Sequence, residues 1–277
     1  MKQQPQPAIR ERIWKIARDA GFDSVGVAFH DYETRRTFAE NGGQLFHAAS
    51  TIKAAILIAL YKLAEQERIR LDDPLHVRNR FRSLVGGAVF RVAADRDGDA
   101  VVHGQIGRSM RLRDLARAMI VRSSNLATNL LLDLLGVATV QRVIAAAGVE
   151  GVRLVRGVED SLAFEKGISN QASATGLVQL FRLMCEGRFL HKAAREQILE
   201  VLLAQEFNAM IPRGLPAQAR VAHKTGEIST ACHDAGVVFL PGRKPFVVAI
   251  LTSARAKAPA RTRAVAAISR AVFEALS

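Results

Sequence analysis

A chain of 277 residues, 49% of them hydrophobic, can bury a large core and suits one compact unit or two intimately packed lobes. Its formal charge of +13 and pI near 10.6 raise the question of nucleic-acid binding, but the basic residues are dispersed and only 6% of residues are aromatic. With no nucleic-acid motif present, this argues against a specific nucleic-acid partner and leaves a milder attraction to anionic polymers or carboxylate-bearing substrates.

Met1–Pro7 has no apolar leader core, so the chain reads as cytoplasmic if complete as written, or as periplasmic or secreted if a leader was removed. The longest apolar run, residues 54–61, is far short of a bilayer span. Residues 9–20 have the spacing of an amphipathic helix, and 24–30 with 34–39 read as a hairpin across 31–33. Asn41-Gly42-Gly43 reads as a turn, and 54–63 as an almost uninterrupted apolar helix, which places Ser50 at or just before a helix N-terminus. In Ser50-Thr51-Ile52-Lys53 the serine and lysine then share one face, so an amine lies near a hydroxyl that needs a base to attack a carbonyl.

The stretch 81–107 is the least legible. Its Asp95-Arg96-Asp97-Gly98-Asp99 has glycine at the wrong place for a calcium loop, with Ile106 where a bidentate glutamate is required, and reads as a solvated acidic turn. Helical patterns over 112–121, 127–135, 140–147 and 175–184 form a central block, and Ser123-Ser124-Asn125 precedes the second of them. Strands are expected over 220–225, 236–240 and 246–252, with 241–245 as a turn and 261–276 as a final helix. The first of these strands ends in Lys224-Thr225-Gly226. Cys185 and Cys232 belong to no ligand cluster, so neither a metal nor a cofactor is expected. Cys185 reads as packing and Cys232 as a residue near the proposed site. The expected fold is α+β: an antiparallel sheet flanked by helices from both termini, plus an all-helical lobe. It divides into about 1–50 with 215–277, and about 51–214, with the site in the cleft between.

Ser-x-x-Lys, Ser-x-Asn and Lys-Thr-Gly, in this order, resemble the signature of the penicillin-recognising serine enzymes. The chain is similar to a class A β-lactamase-like serine hydrolase from the strand at Ser24 to the C-terminal helix. Arg122 to Leu132, with a second asparagine at Asn129, resembles the helix after the second motif. Arg156-Gly157-Val158-Glu159-Asp160 lies where the family has an acidic Ω-like loop, and Asn170 to Thr175 resembles the start of the helix beyond it. His233-Asp234-Ala235-Gly236 falls where the family opens its next strand.

The resemblance implies Ser50 as nucleophile, Lys53 as proton acceptor and Ser123 as relay to the departing amide nitrogen. It implies that Asn125 bonds the substrate's amide side chain, that Lys224 and Thr225 receive its carboxylate, and that Gly226 lets the strand approach closely. The backbone N–H groups of Ser50 and Glu227 would form the oxyanion hole. Glu159 is the expected base for deacylation, with Asp160 and Glu165 as alternatives. Leu162 fits the pattern after it, but Ala163 stands where asparagine is usual. Ser124 replaces the aspartate usual at the middle of the second motif, and Glu227 a small residue. The substrate class is a β-lactam or a cell-wall peptide. The alternative reading is a penicillin-binding D-Ala-D-Ala carboxypeptidase or promiscuous esterase with slow deacylation, and a third is an idle binding protein. Oligomeric state is not encoded in any feature of the sequence.

Overall fold

The computed structural model describes residues 6–254 and 261–276. The N-terminal half opens with α1 (Gln6–Asp19), β1 (Ser24–Asp31), β2 (Thr37–Glu40) and the two-residue β3 (Phe46–His47). A 3₁₀ turn at Ala49–Ile52 runs directly into α2 (Lys53–Glu65). Short pieces follow: β4 (Pro74–His76), β5 (Phe81–Arg82), β6 (Val89–Phe90), a 3₁₀ turn at Ala94–Arg96, α3 (Ala100–His103) and β7 (Ser109–Arg111). The helical block comprises α4 (Leu112–Val121), α5 (Asn125–Leu135), α6 (Val137–Ala146), β8 (Val152–Arg153), α7 (Ser161–Glu165), β9 (Gln171–Ala172), α8 (Ala174–Arg182) and α9 (Lys192–Leu203). After a 3₁₀ turn at Pro212–Gly214, the chain ends in β10 (Arg220–Ile228), β11 (Ala231–Phe239), β12 (Phe246–Ser253) and α10 (Arg261–Leu276).

The main sheet is antiparallel, in the order β10-β11-β12-β1-β2, so strands from the two ends of the chain meet where β12 pairs with β1. Alternation of side chains along these strands builds two cores. Val25, Val27 and Phe29 of β1, with Val248 and Ile250 of β12, face α1 and α10 and join Ile13, Val265 and Val272. Ala28, Val247, Ala249 and Leu251 face the other way, against the helical block. Ten of the thirteen residues of α2 are buried, because a helix apolar on every side is stable only inside other helices. Lys53 opens that helix, so its position alone removes it from water.

Three expectations are corrected. The second strand of the hairpin begins at Thr37, not 34, because the Asp31 carboxylate gathers the Thr34 N–H (3.1 Å) and hydroxyl (2.6 Å) into a turn. The strand after Lys-Thr-Gly begins at Ala231 rather than 236. It thus includes His233, where the resemblance placed the opening of a strand, and His233 and Asp234 are fully buried and hydrogen-bonded. Helix α9 was absent from the sequence reading, where its charged face hid the buried Ala194, Ile198, Val201 and Leu202. Among the described residues no single helix is long and apolar enough to cross a membrane.

Candidate active site

Ser50 sits in the 3₁₀ turn that leads into α2, and the turn is held from three sides. Ala49 has φ +45°, a left-handed conformation that costs a non-glycine residue of order 1–3 kcal/mol. It is kept there by the bond from its N–H to His47 Nδ1 at 3.0 Å, while Ala48 N–H donates to Asn170 O at 2.8 Å. From the third side comes β10: a Cβ on Gly226 would lie 3.0 Å from both Ser50 N and Thr51 N. Glycine at 226 therefore brings the strand edge against the Ser50 amide.

One turn further, Lys53 is fully buried and donates to Ser123 O (2.6 Å), Ser123 Oγ (3.1 Å) and Asn125 Oδ1 (2.8 Å). The first and second motifs thus meet on one nitrogen. None of these bonds goes to Ser50, whose hydroxyl has no hydrogen bond among the described residues. Burial, with the positive charge of Lys224, pushes the Lys53 amine well below the ordinary lysine range, and Asp97 and Glu159 oppose that shift. Ser123 itself has φ +60°, the price of turning its hydroxyl and carbonyl toward Lys53 between α4 and α5.

The acidic turn at 95–99 is only partly solvated: Asp95, Arg96 and Gly98 are exposed, as expected, but the other two acids are not. The Asp97 side chain is completely buried and Asp99 is 4% exposed. Asp97 accepts the N–H groups of Asn125 and Leu126, both at 2.9 Å, at the start of α5. Ser124 Oγ (3.3 Å) and His103 Nε2 (3.1 Å) also reach it. Gly98 makes the approach possible, since a Cβ there would fall 2.0 Å from Arg122 O. Arg96, beside it, accepts from Asn125 Nδ2 through its carbonyl (3.1 Å) and pairs its guanidinium with Glu159 (3.1 Å). Sequence reasoning missed Arg96, Asp97 and His103. The cluster of acids at 95–99 was visible, but nothing in its spacing said that unpaired helix N–H groups lay opposite.

Glu159 has φ +59° and a side chain 23% exposed, and its Oε1 lies 3.4 Å from Asn125 Nδ2. Asn125 therefore stands between Lys53 and Glu159. The loop that carries the glutamate is pinned by two asparagines. Asn129 makes paired bonds to Val158 N and O (2.8 and 2.9 Å), and Asn170 Oδ1 accepts from Val155 and Arg156 (2.8 and 3.1 Å). Of the alternative carboxylates, Asp160 is turned away, bonded to Ser83 Oγ (2.7 Å), Leu84 N (2.9 Å) and Ala163 N (3.2 Å). Burial opposes its ionised form, but these bonds and the Arg156 charge outweigh burial and hold the carboxyl below its usual range. Glu165 is exposed at the end of α7, and Ala163 is fully buried.

On β10, Lys224 is fully buried and bonds the Thr225 carbonyl at 3.0 Å. Burial lowers it to about 7 against the pull of Asp234, whose carboxylate lies 2.9 Å from His223 Nδ1 behind the strand. Thr225 is 6% exposed. Glu227 lies on the strand face opposite Gly226, and its carboxylate reaches Arg261 at 3.3 Å, at the start of α10. Its charge is drawn toward that guanidinium. Cys232 lies directly across from Glu227 on β11, but its side chain faces away from the site, fully buried in the core against α10 with Sγ 3.7 Å from Met210 Sδ. Burial pushes its thiol up to about 12. Cys185 packs half-buried against the core of the helical block. Among the described residues no group of histidine, cysteine or carboxylate side chains could hold a metal ion.

A serine at a helix start, a desolvated lysine one turn on, and two further motifs closing around them define the class: α+β serine hydrolases. The chain belongs to the β-lactamase enzyme family, whose model matches residues 8–276. It is 27% identical over 236 residues to a β-lactamase of Streptomyces fradiae, covering 83% of this chain and 73% of that protein. With the carbapenem-hydrolyzing β-lactamase KPC of Klebsiella oxytoca it shares 26% identity over 274 residues, 97% of this chain and 89% of the relative. Among solved structures, a variant of PBP-A captured as an acyl-enzyme with penicillin G superimposes with a TM-score of 0.84 at 25% identity, covering 100% of this chain and 98% of the other. A variant of the reconstructed last common ancestor of Gram-negative class A β-lactamases superimposes with a TM-score of 0.82 at 28% identity, covering 97% and 98%.

Proposed function

We propose that this protein is a class A-like serine β-lactamase that opens the β-lactam amide through an acyl-enzyme on Ser50. One observation carries the reading: the buried Lys53 nitrogen joins the first motif to the second while Gly226 of the third lies against the Ser50 amide. When neutral, Lys53 has two N–H donors, which suffice for Ser123 O and Asn125 Oδ1, and its lone pair is left for the Ser123 hydroxyl at 3.1 Å. In acylation Ser50 Oγ attacks the lactam carbonyl and its proton passes to Lys53. Ser123 delivers a proton to the departing ring nitrogen and is reprotonated by Lys53. The N–H groups of Ser50 and Glu227 bind the oxyanion, and Lys224 and Thr225 receive the substrate carboxylate. In deacylation Glu159 takes a proton from water, the hydroxide attacks the ester, and Ser50 leaves as the alcohol as that proton is returned to its oxygen, restoring the Glu159 carboxylate.

A second reading, a penicillin-binding enzyme that stays acylated, is favoured by Ala163, which offers no amide to help hold the deacylating water. Intact-mass spectrometry after mixing with penicillin G separates the two. A transient adduct with ring-opened product supports the lactamase, and a lasting adduct the second reading. Ser50→Ala should abolish the adduct, and Glu159→Gln should turn a transient adduct into a persistent one. Unchanged turnover in Glu159→Gln would move the base to another carboxylate, and an adduct in Ser50→Ala would remove the nucleophile assignment.

A further inference from the structure

We propose that Asp97 is a positioning residue for acylation: its carboxylate, delivered by a separate loop, does for the second motif what an acidic residue at position 124 would otherwise do. The second motif has only a serine at its centre, yet a buried carboxylate is present beside it. Asp97 Oδ1 accepts from Asn125 N (2.9 Å) and Asp99 N (3.2 Å). Its Oδ2 accepts from Leu126 N (2.9 Å), and Ser124 Oγ lies 3.3 Å away. These contacts hold the first residues of α5, so they set where Asn125 presents Oδ1 to Lys53 and Nδ2 to Glu159. Gly98 is the second half of the device, because any side chain there would drive the loop off Arg122 O.

The same carboxylate acts on Lys53 through its charge. Lys53 faces Lys224 from β10, Glu159 from the 156–160 loop and Asp97 from the 94–99 loop, and the two acids oppose the downward shift caused by burial and Lys224. Asp97 in turn faces His103 of α3, and Arg96 next to it pairs with Glu159. One short loop thus contributes to the groups assigned to both half-reactions. A carboxylate that only capped α5 would change stability when removed, whereas one that positions the site must also move the acylation rate and the titration of Lys53.

The proposal rests on the acylation reading above, and its test uses charge relocation. Asp97→Asn keeps the shape and removes the charge, and Ser124→Asp returns a carboxylate at the residue whose hydroxyl lies 3.3 Å from Asp97 Oδ2. The D97N variant is expected to be acylated by penicillin G at least about tenfold more slowly, with the Lys53 Nζ resonance of ¹⁵N-lysine-labelled protein titrating at lower pH. The D97N/S124D double variant recovers the rate to within about threefold and returns the titration upward. S124D alone, with two carboxylates crowded together, is slower than wild type. D97N acylating at the wild-type rate, or a double variant no faster than D97N, would overturn the proposal. Should D97N fail to fold, the double variant decides: acylation supports the proposal, and absence of acylation or of folding overturns it. A wild type that penicillin never acylates removes only the β-lactam reading. The Lys53 titration then decides for Asp97, and an unmoved resonance in D97N sinks it.

Discussion

Two buried lysines with opposite duties meet at this site. Under the proposed mechanism Lys53 must reach the neutral form to accept a proton, and Lys224 must remain charged to hold a carboxylate. Both are desolvated; Asp234 opposes that shift at Lys224, whereas at Lys53 the charge of Lys224 adds to it and Asp97 and Glu159 oppose it. Lys224, brought down to about 7, is protonated below that pH and neutral above it. For a carboxylate-bearing chromogenic cephalosporin, kcat/KM should therefore fall above pH of about 7, roughly tenfold per unit, since this ratio reports the free enzyme. Lys224→Arg keeps its charge and should retain activity without that alkaline limb. An identical limb in the arginine variant would assign the titration to another group. Ala49, Ser123 and Glu159 add a further residue-scale signature: among the described residues, half of the six non-glycine residues with positive φ lie in this constellation, where strain is sustained by the bonds around it.

At the scale of elements, the geometry depends on short irregular segments clamped to regular ones. The loop bearing Glu159 has few apolar contacts of its own: Leu162 and Phe164 are exposed. Its position comes instead from Asn129 on α5, which closes two hydrogen bonds on Val158, and from Gly157, where a Cβ would lie 2.8 Å from Asn129 Oδ1. Asn129→Ala leaves both Val158 groups without partners, a loss of about 2 kcal/mol. It should lower the unfolding midpoint, and it should slow deacylation while leaving acylation close to wild type, which stopped-flow burst kinetics resolve. Equal slowing of both steps would place the role of Asn129 elsewhere. The sequence offered Asn129 as part of a motif, but the partner that gives it meaning lies about thirty residues away.

For the molecule as a whole, the sheet is fastened to the turn that carries Ser50 by a buried histidine. His233 Nδ1 accepts from Thr252 N (3.1 Å) and Nε2 donates to His47 O (2.9 Å), linking β11, β12 and β3 just below Ser50. Burial pushes this imidazole down to about 4, and a protonated ring would turn a second N–H toward the Thr252 donor. The unfolded chain binds that proton near pH 6.5, so stability is full above about 6.5 and is lost as pH falls toward about 4. The loss amounts to about 3 kcal/mol. His233→Gln should flatten the pH dependence of urea unfolding between these values by about one proton, whatever its absolute stability. An unchanged slope would show that His233 does not carry it.

Helical and strand periods, the three motifs and their order were legible because they are local: spacing along the chain sets which side chains share a face. From them came the antiparallel sheet, the helical block, Ser50 at a helix start and the family resemblance. The burial of Asp97, read as solvated, and of the Cys232 side chain, which turns from Glu227 into the core, was not legible because burial depends on what another segment brings opposite. The residue pattern alone started the strand after Lys-Thr-Gly at 236, because the polar His233 and Asp234 find their partners in distant segments, whereas the family resemblance opened it at His233. Hydrogen-bond satisfaction and desolvation are properties of pairs, and such pairs exist only after residues 97 and 125, or 233 and 252, have been folded together.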